Sequence, residues 1–266
     1  MSVLLTGMVL AAFALERSGR PRWGAVVLGC AIAIKYYPAA FLAWWLVRRD
    51  WRFLGWTAGS AAVFSVLPLP ILGPGDALAF LRGTGGELAF VTDRAPTVYL
   101  SQTWTMVLGR LGAYTRLPAL KLWALPLLAL LGGAAWAFMH AARDDRALSA
   151  VALLWLALPF AGGAVWPHYS MVYLPFCQVV ALWETRLLEG LARKLLGSLV
   201  IASMAATTWL ALPVIGVAIH PAIGIPFFAG LVTMGALVGC AAHRSIVSPN
   251  AAPPGSGPGL VTRAHV

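Results

Sequence analysis

Apolar residues fall in eight long runs, at 2–15, 23–47, 53–72, 118–139, 147–165, 168–183, 195–217 and 221–242. A helix needs about 20 apolar residues to cross roughly 30 Å of hydrocarbon, and several of these runs reach that length. Only 11% of the 266 residues are charged, against about 25% in a soluble domain, so the ionisable groups cannot cover a water-facing surface. These features exclude a soluble enzyme and a disordered chain. They predict an all-α, multi-spanning helical membrane protein with about 7–8 membrane helices. The net charge of +10 would suggest nucleic acid in a soluble protein. In a membrane protein basic residues collect in cytoplasmic loops instead, and nucleic acid is not expected as a partner.

Loop charge predicts orientation. Arg48, Arg49 and Arg52, then Arg143 and Arg146, then Arg186, Arg193 and Lys194, and finally Arg244 and Arg263 fall on one side by simple alternation from residue 48, taken as cytoplasmic. The mixed segment 73–117 and the corner Trp166-Pro167-His168 then share the extracytoplasmic side. Arg17, Arg20 and Arg22 break the pattern if 23–47 crosses once. That run is interrupted by Lys35-Tyr36-Tyr37-Pro38, and proline ends or kinks a helix. Two geometries follow: a re-entrant pair of half-helices, which returns the chain to the side of Arg17, or a kinked full crossing. Residues 1–242 read as one membrane-embedded domain and 243–266, rich in Pro, Gly and Ser, as a disordered cytoplasmic tail. The first run has no basic region ahead of it and is too short to span, so a truncated start is expected.

Three cysteines, Cys30, Cys177 and Cys240, lie inside apolar runs and read as small hydrophobes; neither they nor any other residues show a metal spacing. Small residues at Ala25/Gly29 and Gly55/Gly59 read as sites of close helix packing. Lys35 is the clearest anomaly, because a lysine inside an apolar run costs roughly 2.5–3.5 kcal/mol on insertion scales. It is either a cation holding a lipid phosphate at a broken helix or a side chain snorkelling to water. Trp166, Tyr169 and Tyr173 read as interfacial anchors, whereas His168 can exchange a proton or hydrogen-bond a phosphate.

Three segments together resemble the polyprenyl-phosphate-mannose-dependent alpha-mannosyltransferases, glycosyltransferase family 87 of the membrane-embedded C superfamily. Ala25, Gly29, Lys35 and Pro38, followed by Arg48-Arg49, match a small-xxx-Gly-x5-Lys-x-x-Pro pattern. Ser101-Gln102-Thr103-Trp104 with Arg110 matches an Asn-Gln-Ser-Leu pattern with a later arginine, the Asn replaced by Ser. Trp166-Pro167-His168-Tyr169 matches Trp-x-His-His with only the first histidine kept. The resemblance implies transfer of a hexose, usually mannose, from a polyprenyl phosphate carrier on the extracytoplasmic face of a prokaryotic plasma membrane, with inversion and no cofactor or metal. It assigns Lys35 and His168 to catalysis, and Arg110, Gln102, Tyr99, Trp166 and Tyr169 to substrate binding. The family's expected base, an aspartate in the first extracytoplasmic loop, has no counterpart, since no aspartate precedes Asp50. The rival readings are a lipid or solute transporter, whose substrate sites also use broken helices, and an inactive accessory subunit. A transporter's internal repeat would require a second Lys-x-x-Pro break, and the later half of the sequence has none.

Overall fold

The computed structural model describes residues 2–68, 71, 73, 75, 107, 108, 119–160, 167–209 and 225–247; the side chains of 2, 119–123, 167–172, 208 and 209 stand outside that description. Among the described residues the chain is helical and contains no strand. The helices are α1 (Ser2–Arg17), α2 (Pro21–Ile34), a 3-10 helix (Tyr37–Phe41), α3 (Leu42–Val47), α4 (Trp51–Val66), α5 (Ala119–Arg143), α6 (Ala147–Ala157, continued as a 3-10 turn over Leu158–Phe160), α7 (Pro167–Arg186), α8 (Gly190–Trp209) and α9 (Ile225–Val247). Helix α9 runs on through residues 243–247, which the sequence assigned to the tail, and 248–266 lie outside the described residues. Among the described residues two stretches, Ala124–Arg143 and Ile225–Val247, are long and apolar enough by themselves to cross a membrane.

Local sequence explains the breaks. Helix α1 stops at a left-handed Gly19 (φ 78°), with the Arg20 N–H reaching the Leu15 carbonyl at 2.8 Å and the Gly19 N–H the Glu16 carbonyl at 3.0 Å, the double bond of a glycine-terminated helix. Pro21 then opens α2, where its missing N–H costs nothing. Helix α2 ends at Ile34 because the Pro38 ring would meet the carbonyl four residues back if the helix ran on; Lys35 is extended there (φ −157°, ψ 135°). Asp50 caps α4 by accepting from the Phe53 N–H at 3.0 Å.

Close contacts decide where the chain goes after Lys35. Gly24 and Gly29 of α2 face Phe53 and Thr57–Ala61 of α4 in that order, so α2 and α4 run in the same direction. Trp45, near the end of α3, stacks on Phe53 at 3.9 Å and meets Phe13 of α1 at 4.7 Å. Phe13, Gly24, Trp45 and Phe53 therefore lie in one layer. The chain climbs α2, turns at Lys35-Tyr36 and comes back along the 3-10 helix and α3. Of the two sequence geometries, the returning hairpin is the one observed, and Arg17 and Arg48 emerge at the same end.

Helix α2 lies between α1 and α4, and only glycine fits at two of its positions. A Cβ on Gly24 would stand 2.6 Å from the Ala12 carbonyl oxygen, and one on Gly29 would meet Ser60 Oγ at 2.0 Å, the Thr57 carbonyl oxygen at 2.7 Å and the Ala61 nitrogen at 2.8 Å. The predicted pair Gly55/Gly59 behaves otherwise: a Cβ at either position would meet no atom of the described residues within 4 Å. That pair faces outward, because α4 spends its inner face on Phe53, Thr57 and Ser60.

Helix α6 is the centre of the second half. Its buried residues include Ala147, Ser149, Ala150, Val151, Ala152, Leu153, Trp155 and Leu156, and it packs on α5, α7, α9 and the 3-10 helix. Helices α7, α8 and α9 pack on one another, joined internally by a hydrogen-bonded polar chain in which Gln178 donates to Ser203 (3.2 Å) and Thr207 (3.3 Å) and Ser203 meets Thr233 (3.4 Å). Cys177 and Cys240 are buried and Cys30 half-buried, all as free thiols.

Candidate functional site

The two ends of the bundle differ in chemistry. One end gathers the arginines. Asp145, in the turn between α5 and α6, pairs with Arg48 at 2.6 Å and Arg17 at 3.2 Å. Its neighbour Arg146 pairs with Glu184 of α7, which also accepts from Arg244 of α9 and Ser149 of α6. The sequence separations are 128, 97, 38, 60 and 35 residues, so these pairings are a product of the fold. Glu184 is thus the shared anion of two guanidiniums and a hydroxyl drawn from three other parts of the chain.

Lys35 stands at the far tip of the hairpin. Helix α2 has 14 residues, about 21 Å at 1.5 Å per residue, which separates Lys35 from the arginine end by most of a hydrocarbon thickness. Lys35 is half-buried there. Tyr37, two residues on, meets Trp155 at 5.6 Å, and Phe41 meets the same ring at 4.7 Å. Trp155 in turn stacks on Tyr173 of α7 at 5.3 Å with the planes 6° apart. Tyr173 is therefore a buried core residue, 4% exposed, and not the interfacial anchor the sequence predicts. His168 and Tyr169 occupy the first turn of α7. Five residues of helix set His168 about 7.5 Å beyond Tyr173, away from the arginine end.

A second cluster lies toward the same end. Val107 and Leu108 are buried with Leu127 of α5 and Phe227 of α9, with Phe160 packed against them. Arg110 is two residues away in sequence. Leu156, Pro159, Phe160, Tyr173, Pro226 and Phe227 line a narrow crevice there. Arg110, Gln102, Tyr99 and Trp166 themselves lie outside the described residues, as do the side chains of His168 and Tyr169. The fold thus brings the Lys35 turn and the first turn of α7 to one half of the bundle. Sequence reasoning missed the aromatic bridge through Trp155, whose only advance signal was a lone aromatic in a helix of small and aliphatic residues. Among the described residues no group of His, Cys, Asp and Glu is arranged to hold a metal.

A bundle of apolar helices with arginines at one end and a broken helix turning inside it belongs to the class of helical membrane proteins. The chain belongs to glycosyltransferase family 87, whose family model matches residues 1–167, more than half of the 266. It is similar to the polyprenol-phosphate-mannose-dependent alpha-(1-2)-phosphatidylinositol mannoside mannosyltransferase of Mycolicibacterium smegmatis, at 33% identity over 200 residues, or 70% of this chain and 42% of that protein. The chain thus spans less than half the length of that relative. No solved structure matches it.

Proposed function

We propose that the chain carries the donor-binding part of a membrane mannosyltransferase that uses a polyprenyl-phosphate mannose donor and inverts the anomeric centre. In this reading the bundle has seven crossings, α1 and α4–α9, with the hairpin 21–47 re-entering from the arginine end. That end and the carboxyl-terminal tail are cytoplasmic, and 73–117 with 166–168 face the outside of a prokaryotic plasma membrane. The arginine distribution supports the orientation. The odd number of crossings fits an α1 that begins outside and an α9 that ends inside.

Transfer breaks the bond between the sugar C1 and the phosphate oxygen while the acceptor oxygen bonds C1 from the opposite face. The acceptor proton passes to a carboxylate base, and the phosphate leaves on its lipid. The residues here suit the leaving-group side. Lys35 and Arg110 counter the charge that grows on the phosphate, His168 hydrogen-bonds it, and Gln102, Tyr99, Trp166 and Tyr169 orient lipid and sugar. No residue of this chain is assigned the base. The observation that carries the reading is the aromatic bridge Tyr37–Trp155–Tyr173, which ties the Lys35 turn to the helix that begins at His168.

The test is mannosyl transfer by membranes that express the chain together with whatever its gene encodes upstream. Lys35→Ala and His168→Ala should each lower transfer about 100-fold, the scale of losing one donor to a developing oxyanion, with membrane insertion unchanged. Full-rate transfer by both variants, or none by the unaltered protein, refutes the assignment.

A further inference from the structure

We propose that the rim where α2 and α4 begin is a seat for the phosphate head group of an anionic phospholipid of the cytoplasmic leaflet; this rests on reading the arginine end as cytoplasmic. The Arg22 guanidinium sits 5.5 Å from the centre of the Trp56 ring. Arg52, one turn before Trp56 on α4, shares its helix face. Trp23 and Trp51, in the first turns of the two helices, are each 65% exposed, and Trp56 is 52% exposed. Two guanidiniums therefore flank the exposed Trp56 indole, with the exposed indoles of Trp23 and Trp51 in the first turns of the same two helices.

Charge balance leaves this strip positive, and the Arg22–Trp56 contact sets it apart from Arg20, Arg49, Arg143 and Arg186, which likewise form no ion pair among the described residues. Elsewhere at the same end, Arg17 and Arg48 are matched by Asp145, and Arg146 and Arg244 by Glu184. Arg22 and Arg52 form no ion pair among the described residues. The carboxylate nearest Arg52 in sequence, Asp50, spends an oxygen on the Phe53 N–H. Helix α2 starts at Pro21 without a side-chain cap, so its electropositive end adds to the same field. Exposed indoles settle at head-group depth, and a guanidinium offers a phosphate two parallel N–H donors. A zwitterionic lipid would leave the net positive charge of the strip standing, whereas an anionic one offsets one of its two guanidinium charges.

The experiment places the full chain in nanodiscs of dioleoylphosphatidylcholine. A fixed minor fraction is either bromine-labelled phosphatidylglycerol or bromine-labelled phosphatidylcholine. Quenching of the rim is obtained by comparison with a Trp23→Phe, Trp51→Phe, Trp56→Phe triple variant. The rim should be quenched more strongly by phosphatidylglycerol. Arg22→Gln and Arg52→Gln should each reduce that preference about fivefold, the equivalent of about 1 kcal/mol for a basic residue at an anionic surface. Arg143→Gln, an exposed arginine of the same end outside the strip, should leave it intact. An equal loss in Arg143→Gln, or equal quenching by both lipids, overturns the seat while leaving the membrane reading standing. Absence of quenching by either lipid overturns both.

Discussion

Gly29 is where the hairpin is most tightly held, and replacing it by alanine tests the packing directly. The added methyl would sit 2.0 Å from Ser60 Oγ, 2.7 Å from the Thr57 carbonyl oxygen and 2.8 Å from the Ala61 nitrogen. The hydroxyl can rotate away at the loss of its 3.3 Å bond to the Ala25 carbonyl. The other two atoms are backbone, and to reach ordinary contact α4 must move outward by several tenths of an ångström. Overpacking of this kind costs about 1–3 kcal/mol, and removing the Ser60 side chain as well cannot rescue it, because the Thr57 carbonyl stays. Gly55→Ala and Gly59→Ala provide the contrast: both face open space, and an alanine in a helix interior gains about 0.5–1 kcal/mol over glycine. The assay is unfolding of the purified protein in mixed detergent micelles under rising denaturing detergent. The expected order is Gly55→Ala and Gly59→Ala at or above the parent, and Gly29→Ala clearly below it. A Gly29→Ala protein as stable as the Gly55→Ala protein refutes the proposed contact between α2 and α4.

Glu184→Gln should destabilise by about 2–4 kcal/mol, since it leaves two partly buried guanidiniums without their shared anion. An unchanged unfolding midpoint in the Glu184→Gln protein would contradict the pairing with Arg146 and Arg244. Trp155→Ala should cost about 3–5 kcal/mol, whereas Trp155→Phe should cost less than about 1.5 kcal/mol. Among the described residues the indole nitrogen of Trp155 has no hydrogen-bond partner to lose; similar thermal midpoints for the two variants would show that ring stacking does not hold the bridge.

Much of this was legible in the sequence. Scarce charge and long apolar runs fix the helical class, the spacing of arginines predicts one basic end, and Pro38 locates the break that the coordinates put after Ile34. Whether the chain then crosses or returns was not readable, because two half-length apolar segments satisfy either path and only Trp45 lying against Phe53 decides it. The glycines show a related limit. Ala25/Gly29 and Gly55/Gly59 have the same spacing, yet one pair meets a helix and the other faces out, since spacing defines a face but not what lies opposite. Tyr173 looked interfacial because it follows a boundary corner, and it is buried because Trp155 stacks on it. The partners of Asp145 and Glu184 are up to 128 residues away, beyond the reach of any local pattern.

The central claim is that Lys35 and His168 stand together, away from the arginine end. Paired spin labels measure this in membranes, after replacing the three native cysteines by alanine. The Lys35→Cys, His168→Cys pair should give a shorter separation than the Lys35→Cys, Arg186→Cys pair, because α7 carries positions 168 and 186 about 27 Å apart. The reverse order would put the lysine beside the arginine end and contradict the account.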